Sequence, residues 1–195
     1  MRSTNIIRKT NETNIQLFID IDGKGDSVIA TGIGFFNHML TLFARHGRFD
    51  LKINCEGDTD VDYHHSVEDI GIVLGQAFAK CLDDCKGIIR YGSFTLPMDE
   101  ALIMTNIDIS GRPHLSFNID YKYDIVGDFD CELIKEFFLA FVRNAGMTIH
   151  INKISGENTH HIIEGIFKSF ARALAQAIKI DSDFPDEIPS TKGVL

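Results

Sequence analysis

The sequence predicts an α+β fold made by internal duplication of two similar halves. Three observations predict it. Residues 12–25, ETNIQLFIDIDGKG, align with residues 100–113, EALIMTNIDISGRP, at a spacing of 88. Glu12 falls on Glu100, Ile15 on Ile103, Ile19-Asp20-Ile21 on Ile107-Asp108-Ile109, and Gly23 on Gly111. HMLTLFAR (38–45) aligns with EFFLAFVR (136–143) at a spacing of 98, which puts His38 on Glu136 and Arg45 on Arg143. The pattern His-His-x-x-Glu stands at 64–68 and returns at 160–164, 96 residues on. The changes in spacing are loop insertions and deletions. The halves divide as 1–92 and 93–195, the second carrying the C-terminal tail, and together they form one compact unit.

Each element follows from its pattern. NIQLFIDI and its counterpart LIMTNIDI alternate with period two, as half-buried strands do, and end at a Gly turn. SVIATGI and HLSFNIDY read as return strands. GFFNHMLTLFARHG and CELIKEFFLAFVRNAG have the amphipathic spacing of helices, each stopping at a Gly that follows a basic residue. FDLKINCEG and MTIHINKIS alternate again as strands. HHSVEDIGIVLGQAFAKCL and HHIIEGIFKSFARALAQAI are long helices, the second capped by Thr159. Each half is therefore strands, helix, strand, helix.

Composition narrows the function classes. The chain has 195 residues, 44% hydrophobic and 24% charged, as in an ordinary soluble globular protein. No apolar run reaches the ~18 residues of a membrane span, and Met-Arg-Ser-Thr-Asn does not read as a signal peptide, so a cytoplasmic location is expected, with no membrane partner. The net charge of −9, with no stripe of Lys and Arg, argues against nucleic acid but leaves room for a small anionic substrate. Cys55, Cys81, Cys85 and Cys131 form no CxxC and read as reduced, partly buried thiols.

The doubled His-His-x-x-Glu carries the chemistry. A helix turns about 100° per residue, so His64 and Glu68 point the same way while His65 points aside. The same holds for His160 and Glu164 against His161. One such pair is more often solvated than ligating. Two copies at matching repeat positions, each with Glu at i+4, reverse that preference in favour of metal. If a pseudo-twofold relates the halves, the simplest wiring crosses over. One cation takes His38, His65, His160 and Glu164; the other takes Glu136, His64, His161 and Glu68. Imidazole and carboxylate without thiolate suit manganese, iron, cobalt, nickel or an open zinc site. The pattern is not HExxH, which argues against a zincin protease.

At this point the motifs RKTNET, GFFNHML, YHHSVEDIGI, RYGS, PMDEAL, DISGRP, NAGMTIHI, GENTHHIIEGIFKSFARAL and STKG, in this order over nearly the whole chain, give a specific resemblance to the imidazoleglycerol-phosphate dehydratase family. The resemblance implies helices packed between two four-stranded sheets. It also implies a homo-oligomer of twenty-four subunits, with two manganese(II) ions per active site held between subunits. The family's metal positions fall on the eight residues grouped above; at Glu136 some members carry His. Its substrate-binding positions fall on Glu12, Arg90, Arg112, Lys168, Ser190, Thr191 and Lys192, with His46 and Arg45 close to the site. His114 and His150 have no histidine partner in the other half and read as structural or surface residues.

The implied reaction removes water from imidazole-glycerol phosphate to give imidazole-acetol phosphate, in histidine biosynthesis. The proton lost sits on carbon and is not acidic alone. A cation on each ring nitrogen favours an imidazolate that expels the neighbouring hydroxyl. Arg90, Arg112, Lys168 and Lys192 are expected to form a basic cluster for the phosphate, with Ser190 and Thr191 adding donors. Glu12, beside that cluster, is the expected general acid/base. Asp99 and Glu100 occupy the matching place in the other half and read as structural. A dinuclear metallohydrolase would use the same ligands without needing a phosphate cluster, and a non-catalytic metal-binding assembly protein would need neither Glu12 nor the STKG tail.

Overall fold

The computed structural model describes residues 2–195. The first half runs β1 (Ser3–Lys9), β2 (Thr13–Asp20), β3 (Ser27–Ala30), α1 (Gly34–Gly47), β4 (Asp50–Gly57) and α2 (His64–Leu82). The second runs β5 (Tyr91–Met98), β6 (Ala101–Asp108), β7 (His114–Asn118), a hairpin of β8 (Ile125–Val126) and β9 (Phe129–Asp130), α3 (Glu132–Ala145), β10 (Thr148–Ser155) and α4 (Thr159–Ala177). Both four-stranded sheets share one topology. Their orders are β1-β2-β4-β3 and β5-β6-β10-β7, with only the last pair of each parallel. Even the register repeats: Arg8 pairs with Ile15 and Leu96 with Ile103, each residue 88 from its counterpart.

The helices form a layer enclosed by the two sheets. α2 covers the first sheet and α4 the second, while α1 packs on α4 and α3 on α2. Each half's short helix therefore lies against the other half's long one. Phenylalanines fill the layer. Phe43 stacks on Phe170 with ring centroids 5.3 Å apart, joining α1 to α4, and Phe78 meets Phe141 edge-on at 5.8 Å, joining α2 to α3. All four rings are fully buried, so truncating one to Ala would cost about 3–5 kcal/mol. The α2–α3 crossing is closest at two glycines one turn apart. A Cβ on Gly71 would sit 2.6 Å from the Phe137 carbonyl, and one on Gly75 2.6 Å from the Phe141 carbonyl.

Several boundaries differ from the sequence reading. The expected division at 92 falls inside β5, which starts at Tyr91 directly after Arg90 turns the chain with φ 75°. α1 ends on Gly47 as expected, but the left-handed cap falls on the next residue, Arg48 (φ 63°), and Gly47 is needed because a Cβ there would meet the Phe49 ring at 2.2 Å. α3 does end on a left-handed Gly146. Thr159 does not cap α4. Asn158 is the N-cap, accepting from the His161 N–H, and buried Thr159 bonds the Tyr123 backbone instead. β1, β5 and the β8–β9 hairpin go beyond the strands read from the sequence: RSTNIIRK is too polar and the hairpin too short to show a period, and YGSFTLPM carries a Gly and a Pro inside the strand.

Candidate active site

Glu164 is the centre of the arrangement. It lies one turn into α4, almost fully buried, and carries a charge that burial opposes. Burial would raise its carboxyl, but Lys168 one turn on, with His38 and His160, outweighs it and holds the group below its ordinary pKa. Lys168 forms a close ion pair with Glu164 Oε1. The other oxygen, Oε2, faces His160 Nε2 at 3.3 Å and His38 Nε2 at 3.7 Å. Three donors from α1 and α4 thus lie within 4.8 Å of one another. Two imidazoles and an anionic carboxylate on one side of a shared space fit a borderline divalent cation, so the donor set passes the chemical test for one. His46, on the last turn of α1, is near enough to Lys168 and Arg172 that these cations, after burial, lower its pKa.

The second position of each motif faces elsewhere. His65 Nδ1 lies 3.0 Å from Asp58 Oδ2, and its Nε2 lies 3.7 Å from Glu12. His161 Nδ1 lies 2.8 Å from Glu100, and its Nε2 lies 3.8 Å from Asp99. The Asp58 hydrogen bond raises the His65 pKa, and Glu100 does the same for His161. Glu100 is itself pulled down to about 2 by His161 and by the Asn158 N–H. A cleft of about 810 Å³ opens beside His160 and His161, bordered by Glu100, Lys122, Tyr123 and Asn158.

Within one chain, then, three of the four residues expected to share the first cation come together, and His65 does not join them. Of the second set, His64 Nε2 and Glu68 Oε2 stand 3.6 Å apart, but neither Glu136 nor His161 completes a ligand group with them among the described residues. α3 packs on α2, so Glu136 occupies the place relative to the first motif that His38 occupies relative to the second.

The four basic residues do not form one cluster in a single chain. Arg90 binds Asp108 through Nε (2.7 Å) and Nη2 (3.3 Å), and its Nη1 donates to the Pro189 carbonyl (2.7 Å). Arg112 reaches Asp108 at 4.0 Å, and the backbone of Leu195 lies against Gly111. Arg90, Arg112 and the tail with Ser190, Thr191 and Lys192 therefore gather at one end of β6. Lys168 lies at the other end, beside Met98, which pairs with Ala101. The length of β6 separates them, about 23 Å at ~3.3 Å per residue. Glu12 is not beside that cluster either. It borders β2 of the other sheet, half-exposed, and its charged neighbour is His65.

Sequence reading missed Asp58 as the partner of His65. It also missed Asp69, Thr13 and Arg8 beneath Glu12. The acidic run GDTDVD before the first motif was the available signal for Asp58. For Asp69 the signal was its alignment with Gly165, a charge opposite a glycine in an otherwise matched repeat.

The chain is thus a duplicated α+β scaffold in which α1 of one half and α4 of the other bring a histidine–carboxylate group together. The imidazoleglycerol-phosphate dehydratase family model matches residues 31–174, and the chain belongs to that family. Similar proteins include the imidazoleglycerol-phosphate dehydratases of Prochlorococcus marinus subsp. pastoris, 54% identical over all of this chain and 97% of the relative, and of Azorhizobium caulinodans, 53% identical over all of this chain and 99% of the relative. Among solved structures, the Staphylococcus aureus enzyme superposes with TM-score 0.84 at 46% identity, covering 92% of this chain and 99% of that one. The Pyrococcus furiosus enzyme, crystallised with (S)-C348, also superposes with TM-score 0.84, at 37% identity, covering 97% and 100%.

Proposed function

We propose that the chain dehydrates imidazole-glycerol phosphate to imidazole-acetol phosphate, its family's hydro-lyase step in histidine biosynthesis, at a site completed by neighbouring copies and holding two divalent cations, manganese(II) foremost. The observation that carries the reading is the convergence of His38, His160 and Glu164 across the two halves. Three protein donors leave a six-coordinate cation open positions, and His65 is the residue left over for one of them. The second cation would take His64, Glu68 and Glu136, with His161. Bound cations would supply Lewis acidity toward the nitrogens of the substrate ring.

The chain's own residues would do the rest. Arg90, Arg112, Lys192 and the hydroxyls of Ser190 and Thr191 would bind the phosphate, meeting Lys168 and His46 across a subunit boundary. This is the simplest way for residues at opposite ends of β6 to serve one small molecule, and it supports a closed assembly, the 24-mer foremost. Glu12, half-exposed and 3.7 Å from His65 Nε2, would take the proton from the carbon next to the ring-bearing one as the hydroxyl of the ring-bearing carbon leaves as water, and would help deliver a proton to the ring-bearing carbon when the resulting enol becomes a ketone. No helix among the described residues is long and apolar enough to cross a membrane, which agrees with a cytoplasmic enzyme.

The test is a turnover assay on chelator-treated protein with and without added manganese(II), with particle size measured in parallel. Loss and recovery of product formation, together with smaller particles after chelation, support the reading. Full turnover by metal-free protein overturns the cation assignment.

A further inference from the structure

The two halves match closely in register, yet the repeat breaks at a buried spot beneath Glu12. Asp69 aligns with Gly165, Thr13 with Ala101, Arg8 with Leu96 and Thr10 with Met98. In the second half the spot is apolar: a Cβ on Gly165 would already sit 2.8 Å from Ile103, so helix and strand are in contact. In the first half a buried carboxylate stands there. Thr13 and Asp69 are 3% and 7% exposed. Thr13 Oγ1 donates to Asp69 Oδ2 at 2.5 Å, and Arg8 Nη2 binds Asp69 Oδ1 at 2.9 Å.

Burying a charge is unfavourable unless it is paired, and a glycine or alanine would serve the fold here, as the other half shows. What differs above the spot is the turn that carries the acidic residue. Thr10 Oγ1 accepts from the N–H groups of Glu12 (3.1 Å) and Thr13 (2.9 Å), and the Glu12 carbonyl accepts from the Asp58 N–H (3.1 Å). Asp58 is also the residue that orients His65. In the second half Glu100 is held differently. Its own carboxylate accepts from the N–H groups of Asn158 (2.8 Å) and Glu157 (3.3 Å) and binds His161. Glu100 is fixed through its side chain, whereas Glu12 is fixed through its backbone, its carboxylate half-exposed, 3.7 Å from His65 Nε2 and without a hydrogen bond among the described residues.

We propose that Arg8, Asp69 and Thr13 are positioning residues that, together with Thr10, lock the backbone of the turn so that the half-exposed carboxylate of Glu12 meets the substrate in one orientation. The inference rests on the assignment of Glu12 as proton carrier made above. The asymmetry is the device: a duplicated scaffold offers two equivalent glutamates, and the buried polar set marks one for chemistry while the other becomes structural.

The experiment is a double-mutant cycle on the assembled, manganese-loaded enzyme. Thr13→Val keeps the volume and removes the hydroxyl; kcat is expected to fall at least tenfold, with KM and metal content within twofold of the parent. Thr13→Ser restores the hydroxyl and is expected to recover kcat to within threefold. Glu12→Gln alone should lower kcat at least a hundredfold, and adding Thr13→Val to it should cost less than a further twofold, because the turn then has nothing to position. Additive losses, or a proportional fall in kcat and metal content, overturn the positioning role. If Glu12→Gln keeps its kcat, the assignment of Glu12 fails instead, so the two failures are separable. Should Thr13→Val not fold, Thr10→Val, at a less buried position that bonds the Glu12 N–H directly, must give the same non-additive loss or the proposal is wrong.

Discussion

His38 on α1 stands 3.7 Å from Glu164 on α4, so a residue of the first half completes a group seeded by the second. The same crossing of halves sets up a metal-counting experiment. If His65 of one copy joins His38, His160 and Glu164 of another, the double substitution His65→Ala/Glu164→Ala strikes one cation only. Elemental analysis of the purified assembly should then find one of two ions per site retained. His64→Ala/Glu164→Ala should lose both. If the first double mutant also loses both while remaining folded, each repeat holds its own ion and the crossed wiring is wrong.

The phosphate assignment concerns residues that gather at the Asp108 end of β6. Arg112→Ala and Lys192→Ala each remove an exposed cation without leaving a buried partner. Each should weaken substrate binding by about 1–3 kcal/mol, roughly a five- to 150-fold rise in KM, with kcat little changed. Unchanged KM in both would move the phosphate elsewhere. Arg90→Ala is a less clean probe, since Arg90 also holds Asp108 and the Pro189 carbonyl.

At the α2–α3 crossing the obstacles facing Gly71 and Gly75 include carbonyl oxygens, which cannot rotate away as a side chain would. Gly71→Ala is expected to destabilise the fold by about 1–3 kcal/mol even though Ala is the better helix former. Differential scanning calorimetry should show a Tm lower by several degrees. A Tm equal to the parent's would mean the helices separate at little cost.

Asp50 gives a pH dependence with a definite sign. Its Oδ1 accepts from the N–H groups of Lys24, Gly25 and Asp26, and these bonds hold the carboxyl below its ordinary value. A group whose folded pKa is depressed adds stability above its unfolded pKa, near 3.9, and loses it as pH falls through the folded value. Asp50→Ala should therefore lower the denaturant midpoint at pH 7, and the gap to the parent should narrow below about pH 4. A gap that stays constant from pH 7 to pH 3 would show that the charge is not what the turn uses.

Much of this was legible in the sequence because duplication prints each signal twice. Both long helices, the β2 and β6 strands and the pairing of His160 with Glu164 follow from periods that neither half contradicts. The grouping of His38 with them was also legible, because a pseudo-twofold makes each half's short helix meet the other's long one. Other features depend on contacts between residues remote in sequence. Asn158 rather than Thr159 caps α4 because Thr159 is drawn into the core by Tyr123. The basic residues lie at two ends of β6 because strand register, not charge, decides where each falls. Asp58 sits in an acidic run and Asp69 opposite a glycine of the other half, signals that mark them as unusual, but the fold is needed to show that one orients His65 and the other lies buried under Glu12.

The interleaving of the helices also bears on how such a protein can be taken apart. Neither half is closed on its own, since α1 and α3 each lie against a long helix they do not share a repeat with. Cleaving the link between α2 and β5 would cut one peptide bond while leaving both helix crossings intact, and the two fragments would remain clasped like folded hands. The ancestor of a single repeat would in turn have had to pair with itself, exchanging short helices between two identical chains, before one gene came to encode both.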